Sequence, residues 1–196
     1  MARSVTGYVN TSLNGMASAS STGSQEPVTG LPIGTGNNVG LVQEFSDASA
    51  LKYSAPGGRT LFSGTYMWVQ LDPAVTGTVP VGSALFWLQT ATGAVVTTVA
   101  SGNNPDFAGV SIDPNFGAAL PYAWIQCNGK CSVLLSAAGP SVFGSAINIT
   151  AAASTFDAGA AQSTVVLVNN WVGYALAVIS ASQVGLARIV RAVTRF

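Results

Sequence analysis

The sequence predicts an all-β fold, a β-sandwich or β-barrel of about ten short strands preceded by an extended N-terminal arm. Three observations carry that expectation. From Val39 onward the chain is a succession of short apolar runs rich in Val, Ile, Leu and aromatic residues. Gly, Pro and Asn punctuate the runs, and no segment sustains a helical period.

Residues 1–38 have a different texture, dominated by Ser, Thr, Gly and Asn, as in Ser18-Ala19-Ser20-Ser21-Thr22-Gly23-Ser24 and Leu31-Pro32-Ile33-Gly34-Thr35-Gly36-Asn37-Asn38. Such a stretch buries too little apolar surface to offset its ordering entropy unless a partner holds it. It is expected to behave as an arm, either a solvated tail or a segment extended over a neighbouring subunit. Residues 39–196 are expected to form one β domain.

Within that domain the strand signals are Val39 to Phe45, Thr65 to Leu71, Ser83 to Gln89, Ala94 to Val99, Phe107 to Ile112, Tyr122 to Cys127, Cys131 to Leu135, Ile147 to Thr150, Thr164 to Val168 and Gly173 to Ile179. In the second of these, Tyr66, Trp68 and Gln70 share one face and Met67, Val69 and Leu71 the other, so both faces should be covered. Leu186 to Phe196 has two readings. As a helix it aligns Arg188, Arg191 and Arg195; as a strand it alternates Ile189, Arg191 and Val193 with Arg188, Val190 and Ala192. The β texture before it favours a terminal strand. Trp171 to Ala187 approaches the length of a membrane span, but it carries Ser180, Ser182 and Gln183, and a buried strand pair accounts for it better.

The only cysteines, Cys127 and Cys131, flank Asn128-Gly129-Lys130. Asn-Gly is a strong hairpin signal because both residues tolerate positive φ, so a turn is expected there. A three-residue loop would set the thiols opposite each other, and a two-residue loop would offset them. Free thiols and a cross-strand disulfide both stay open. A metal site is disfavoured, because no His accompanies the pair and the spacing is not C-x-x-C.

Composition bounds the function. The chain has 196 residues and 19.8 kDa, enough for a substantial core. Seven Lys or Arg and seven Asp or Glu make 7% charged residues, where about 25% is typical. The formal net charge is zero and the pI is near 6.0, so nothing supplies the cationic footprint nucleic acid requires. The absence of His removes the side chain best suited to proton transfer near neutrality and the commonest metal ligand. Phosphate-binding, hydrolase-elbow and dinucleotide signatures are also absent. Asp106 and Asp113 are the closest carboxylate pair, but Pro105-Asp106 and Asp113-Pro114 read as turns. No catalytic residue, cofactor or metal is therefore expected. Residues 1–10 lack the apolar stretch of a signal peptide, so synthesis in the cytoplasm is expected, and the patterns at Asn10 and Asn148 carry no glycosylation meaning. Trp68, Trp87, Trp124 and Trp171 sit in or beside strand-like runs, where packing in the core outweighs a stacking surface.

Several segments resemble tailed-bacteriophage head decoration proteins and related virion structural proteins. These are Phe107-Ala108-Gly109-Val110-Ser111-Ile112, Gly117, and Pro121-Tyr122-Ala123-Trp124-Ile125-Gln126-Cys127-Asn128-Gly129. Upstream, Gly64-Thr65-Tyr66-Met67-Trp68-Val69-Gln70 and Val81-Gly82-Ser83-Ala84-Leu85 are similar to the same group, and downstream so is Val172-Gly173-Tyr174-Ala175-Leu176-Ala177. The resemblance spans residues 60–190. It implies a compact β domain, not an enzyme, that binds the outside of an assembled capsid, often as a trimer, and ties neighbouring major capsid subunits together. The cysteine pair lies outside the family pattern, and the arm varies among such proteins.

The resemblance and the composition point the same way. A chain with few charges and broad apolar β faces gains stability where neighbours cover it, and an arm can order against a partner. The expectation is a virion protein on the capsid surface that binds the major capsid protein and its own copies. Arg188, Arg191 and Arg195 would supply the directed polar contacts, to carboxylates. Two alternatives stay open: a tail, fibre or major coat subunit, and a carbohydrate-binding β-sandwich module.

Overall fold

A computed structural model of the chain describes residues 39–40, 42–47, 61–88, 91, 93–99, 106–137, 141–149, 154–159 and 171–190. Among the described residues ten strands follow one another: β1 (Val42–Phe45), β2 (Gly64–Leu71), β3 (Ala84–Trp87), β4 (Val95–Thr97), β5 (Phe107–Ser111), β6 (Tyr122–Leu134), β7 (Ala146–Ile149), β8 (Phe156–Gly159), β9 (Trp171–Ala175) and β10 (Val184–Ile189). They hydrogen-bond in the order β1-β2-β4-β3-β5-β6-β10-β9-β7-β8. A further pairing of β2 with β6 closes β2, β4, β3, β5 and β6 into a five-stranded barrel. The fold is therefore all-β, as the sequence predicts, with a barrel at its centre and an antiparallel extension, β10-β9-β7-β8, leaving it from β6.

Period-2 alternation distributes the apolar residues into three cores. Met67, Val69 and Leu71 of β2 meet Leu85, Trp87, Val96, Ala108, Ala123, Ile125 and Cys127 from the other four strands and fill the barrel. The opposite face of β2 packs Tyr66 and Trp68 with Phe45, Leu61, Ile112 and Trp124 outside the barrel wall. Trp68 and Trp124 are direct cross-strand partners with ring centroids 5.7 Å apart in an edge arrangement. The third core joins Phe86, Phe107 and Val110 on the outer wall to Cys131, Val133, Ile147, Phe156, Val172 and Ile189 of the extension. Both faces of β2 are covered, as its alternation predicts.

The structure corrects the hairpin expected at Asn128-Gly129. Residues 122–134 are one continuous strand of 13 residues. Its first part pairs with β2 on one side and β5 on the other, and its second part pairs with β10 from Gly129 to Leu134. Gly129 is used for its backbone all the same, with φ at +102°. The register steps from Thr65↔Asn128 to Tyr66↔Gln126, leaving Cys127 as the extra residue of a bulge. A Cβ on Gly129 would run into the Ser63 carbonyl oxygen, so the Asn-Gly pair lets two strands meet closely instead of reversing the chain. The bulge is held by Gln126, 1% exposed, whose amide Nε2 donates to the carbonyls of Asn128 at 3.2 Å and Lys130 at 2.7 Å.

The C-terminal segment is a strand from Val184 to Ile189, and Trp171 to Ala187 comprises β9 and most of β10. Strand β8 has no counterpart among the expected strands. The expected strand at Thr164 to Val168, the arm over residues 1–38 and residues 191–196 lie outside the described residues.

Candidate interaction surface

Among the described residues, three of the four most exposed large apolar side chains stand at one end of the extension, the fourth being Val99 beyond β4. Phe143 is 74% exposed, Val178 69% and Val142 62%. Ser141 and Ile179 form an antiparallel bridge, which makes Val142 and Val178 the next pair outward. The turn Val142-Phe143-Gly144-Ser145 is closed by the Ser145 N–H donating to the Val142 carbonyl at 3.0 Å, with Gly144 at φ +81°. That is a type II turn, in which Gly is required at the third position, and it puts Phe143 at the apex.

This tip is braced. The Ser141 N–H donates to the Ile179 carbonyl at 2.9 Å, and the Ile179 N–H donates to the Ser141 hydroxyl oxygen at 3.1 Å. Gly144 and Ala175 donate in turn to the carbonyls of Ala175 and Ser145, both at 2.9 Å, and the Ser145 hydroxyl accepts from the Val142 N–H at 3.0 Å. No Asp, Glu, Lys or Arg occurs between Lys130 and Asp157 or between Asp157 and Arg188, so both chain segments that build the tip are uncharged. Sequence reading did not single out this cluster; the apolar pair Val142-Phe143 set among Pro140, Ser141, Gly144 and Ser145 is the signal it offered.

Of the three arginines, Arg188 is described; Arg191 and Arg195 lie outside the described residues. Arg188 is exposed on β10, directly opposite Lys130 of β6. Both line a cleft of about 270 Å³ whose other walls include Glu44, Gly64, Asn128 and Gly129. The Lys130 ammonium also lies 4.9 Å from the centre of the Phe62 ring, a cation–π contact. Phe62 is tied down from below: the Tyr66 hydroxyl donates to its carbonyl at 2.6 Å and accepts from its N–H at 3.2 Å.

Cys127 and Cys131 are both buried and both free. They sit four residues apart on one strand, about 13 Å of extended chain, whereas a disulfide needs Cα atoms about 4.4–6.8 Å apart. With the hairpin gone, so is the geometry that would have set the two sulfurs face to face: Cys127 packs in the barrel and Cys131 in the outer core. Burial pushes both thiols up to about 12, against a backbone hydrogen bond at Ile189 that lowers Cys131. Thiols held this way are poor nucleophiles.

Asp106 and Asp113 stand at opposite ends of β5, about 20 Å apart along it. Asp113 is 1% exposed, and its carboxylate accepts from the Asn115 N–H at 2.8 Å, an Asx turn. Asp113 serves a turn, as the sequence predicts, and Asp106 stands directly before β5, its carbonyl accepting from the Trp87 N–H at 2.9 Å. Among the described residues no group of three or more His, Cys, Asp or Glu is placed to hold a metal. Trp68, Trp87 and Trp124 are buried in the cores and Trp171 is half-buried. No helix among the described residues is long and apolar enough to cross a membrane.

No protein-family model and no curated protein matches the sequence. Among solved structures the chain is similar to the N-terminal base of head fiber gp8.5 of bacteriophage phi29. Identity is 16%, the match covers 67% of this chain and 98% of that one, and the TM-score is 0.43. At that TM-score the similarity carries no argument about fold or function.

Proposed function

We propose that this chain is a non-enzymatic structural protein of a bacteriophage virion. In this reading it decorates and stabilises the outside of the capsid by binding the lattice of the major capsid protein, as a homo-oligomer with a trimer favoured, and it uses no cofactor. It is made in the host cytoplasm and ends on the capsid surface. The observation that carries the reading is the apolar tip. A protein free in water gains nothing by holding Phe143 at the apex of a turn braced from two sides. A protein that docks on a shell gains the burial of three large side chains, roughly 3–6 kcal/mol before the costs of association.

Two further facts support the same reading. The segments that resemble head decoration proteins fall on β2, β3, β5 and the first half of β6, four of the five barrel strands, and on β9 within the extension. A chain with 7% charged residues also has few charges to hydrate its surface, which favours covering that surface with a neighbour. The arm over residues 1–38 reaches onto the lattice or a sister subunit, and Arg188, Arg191 and Arg195 supply the polar contacts there.

The test is co-sedimentation of the purified chain with heads that lack it. The wild-type chain is expected to pellet with the heads, and Phe143→Ser to weaken binding about 10–30-fold. Failure of the wild-type chain to bind heads would refute the proposal.

A further inference from the structure

We propose that the cleft between β2, β6 and β10 is a binding site for a carboxylate side chain of a partner protein, with Lys130 and Arg188 as its two cations. This deepens the proposed function by naming the partner's chemistry. The starting observation is an electrostatic cost. Lys130 and Arg188 are direct cross-strand partners, and like charges placed directly opposite each other destabilise a sheet. The chain has only seven Lys and Arg, yet two of them are spent on this unfavourable pair. An anion seated between them turns the repulsion into two attractions.

The cleft around the pair is built to admit one. Gly64 and Gly129 face each other across the β2–β6 ladder, so no side chain fills that stretch of the cleft, and the exposed Asn128 lines it as well. Lys130 is steadied by the Phe62 ring at 4.9 Å, and Phe62 by Tyr66, so one cation is partly ordered before the ligand arrives. Glu44 lines the same cleft. With two cations and one carboxylate among its described lining residues, the site is neutralised by one carboxylate, whereas a phosphate dianion would leave it with an excess negative charge beside Glu44. One such contact is weak, because exposed ion pairs are worth little singly. Repeated over the many copies of a lattice it becomes effective through multivalency.

The experiment uses the full chain labelled with ¹⁵N, titrated with a capped hexaglutamate peptide, with hexaglutamine as the neutral probe. Hexaglutamate should produce saturable amide shifts at Thr65, Asn128, Gly129, Lys130 and Arg188, with a dissociation constant of order millimolar, and hexaglutamine should produce none. Lys130→Gln combined with Arg188→Gln should weaken binding at least about 10-fold. Lys130→Glu, which sets a carboxylate opposite Arg188, should abolish binding while leaving the urea midpoint of unfolding unchanged or higher. Shifts absent from these residues, or unaltered in the double variant, would overturn the assignment. So would inorganic phosphate giving the same shifts at lower concentration, or a lower urea midpoint for Lys130→Glu. The titration contains no virion, so a failure to bind heads would count against the capsid reading and leave this site standing.

Discussion

Gly129→Ala tests whether β6 truly runs unbroken from the barrel into the extension. At φ +102° an alanine is strained by about 1–3 kcal/mol. Its Cβ would also collide with the Ser63 carbonyl oxygen and lie 2.8 Å from the Gly64 Cα. Those atoms belong to a paired strand and its approach, not to a flexible side chain, so overpacking adds about 1–3 kcal/mol more. The expected loss is about 2–6 kcal/mol, read as a fall in the urea midpoint of unfolding at unchanged slope. Gly144→Ala is the internal control: its φ is +81° with nothing within 4 Å of the added Cβ, so only the strain term applies. If Gly129→Ala costs no more than Gly144→Ala, the close crossing of β2 and β6 is wrong and an exposed Asn-Gly turn would be the better description.

Three other perturbations follow from the same geometry. We predict that Gln126→Leu, close to isosteric, costs about 1–3 kcal/mol by leaving the Asn128 and Lys130 carbonyls without their amide donor; a neutral result by urea unfolding would remove Gln126 as the clamp of the bulge. Both thiols should be unreactive toward Ellman's reagent in the native protein at pH 8 and count as two in urea without reductant. Because burial raises their values from 9.0 to about 12, the folded state keeps protons the unfolded chain has lost. Stability present below pH 9 should therefore fall by roughly 1.4 kcal/mol per thiol per pH unit between pH 9 and 12, and a flat profile in Cys→Ser variants and wild type alike would contradict this. Tyr66→Phe should cost about 1–3 kcal/mol, since the Phe62 N–H and carbonyl both lose the hydroxyl; no change in the thermal midpoint would show that solvent replaces it.

Local alternation made much of the barrel legible in the sequence. The two faces of β2 are written in Tyr66, Trp68 and Met67, Val69, Leu71, and both are buried as that pattern demands. Short apolar runs and Gly, Pro and Asn punctuation likewise marked the strands on either side. The misreading at Asn128-Gly129 has a physical cause. A positive φ at Gly serves a hairpin and a bulged crossing equally well, and the choice is made by Gly64, a residue 65 positions upstream that offers no side chain to block the approach. Strand β8 was invisible because Phe156-Asp157-Ala158-Gly159 lacks β-branched residues; its pairing with Ala146–Ile149 makes it a strand. The facing of Lys130 and Arg188 could not be read at all, since it follows from the β6–β10 register and no local pattern encodes that. Phe143 was hidden differently, as an apolar residue in a turn segment where composition alone predicts little.

Whether this chain coats a capsid, as proposed, is decided by a cryo-EM reconstruction of the particle it comes from. Copies are expected at symmetry-related positions over the whole head lattice, with the Phe143 tip against a neighbouring subunit. Density confined to the tail, or absent from the particle, would contradict it.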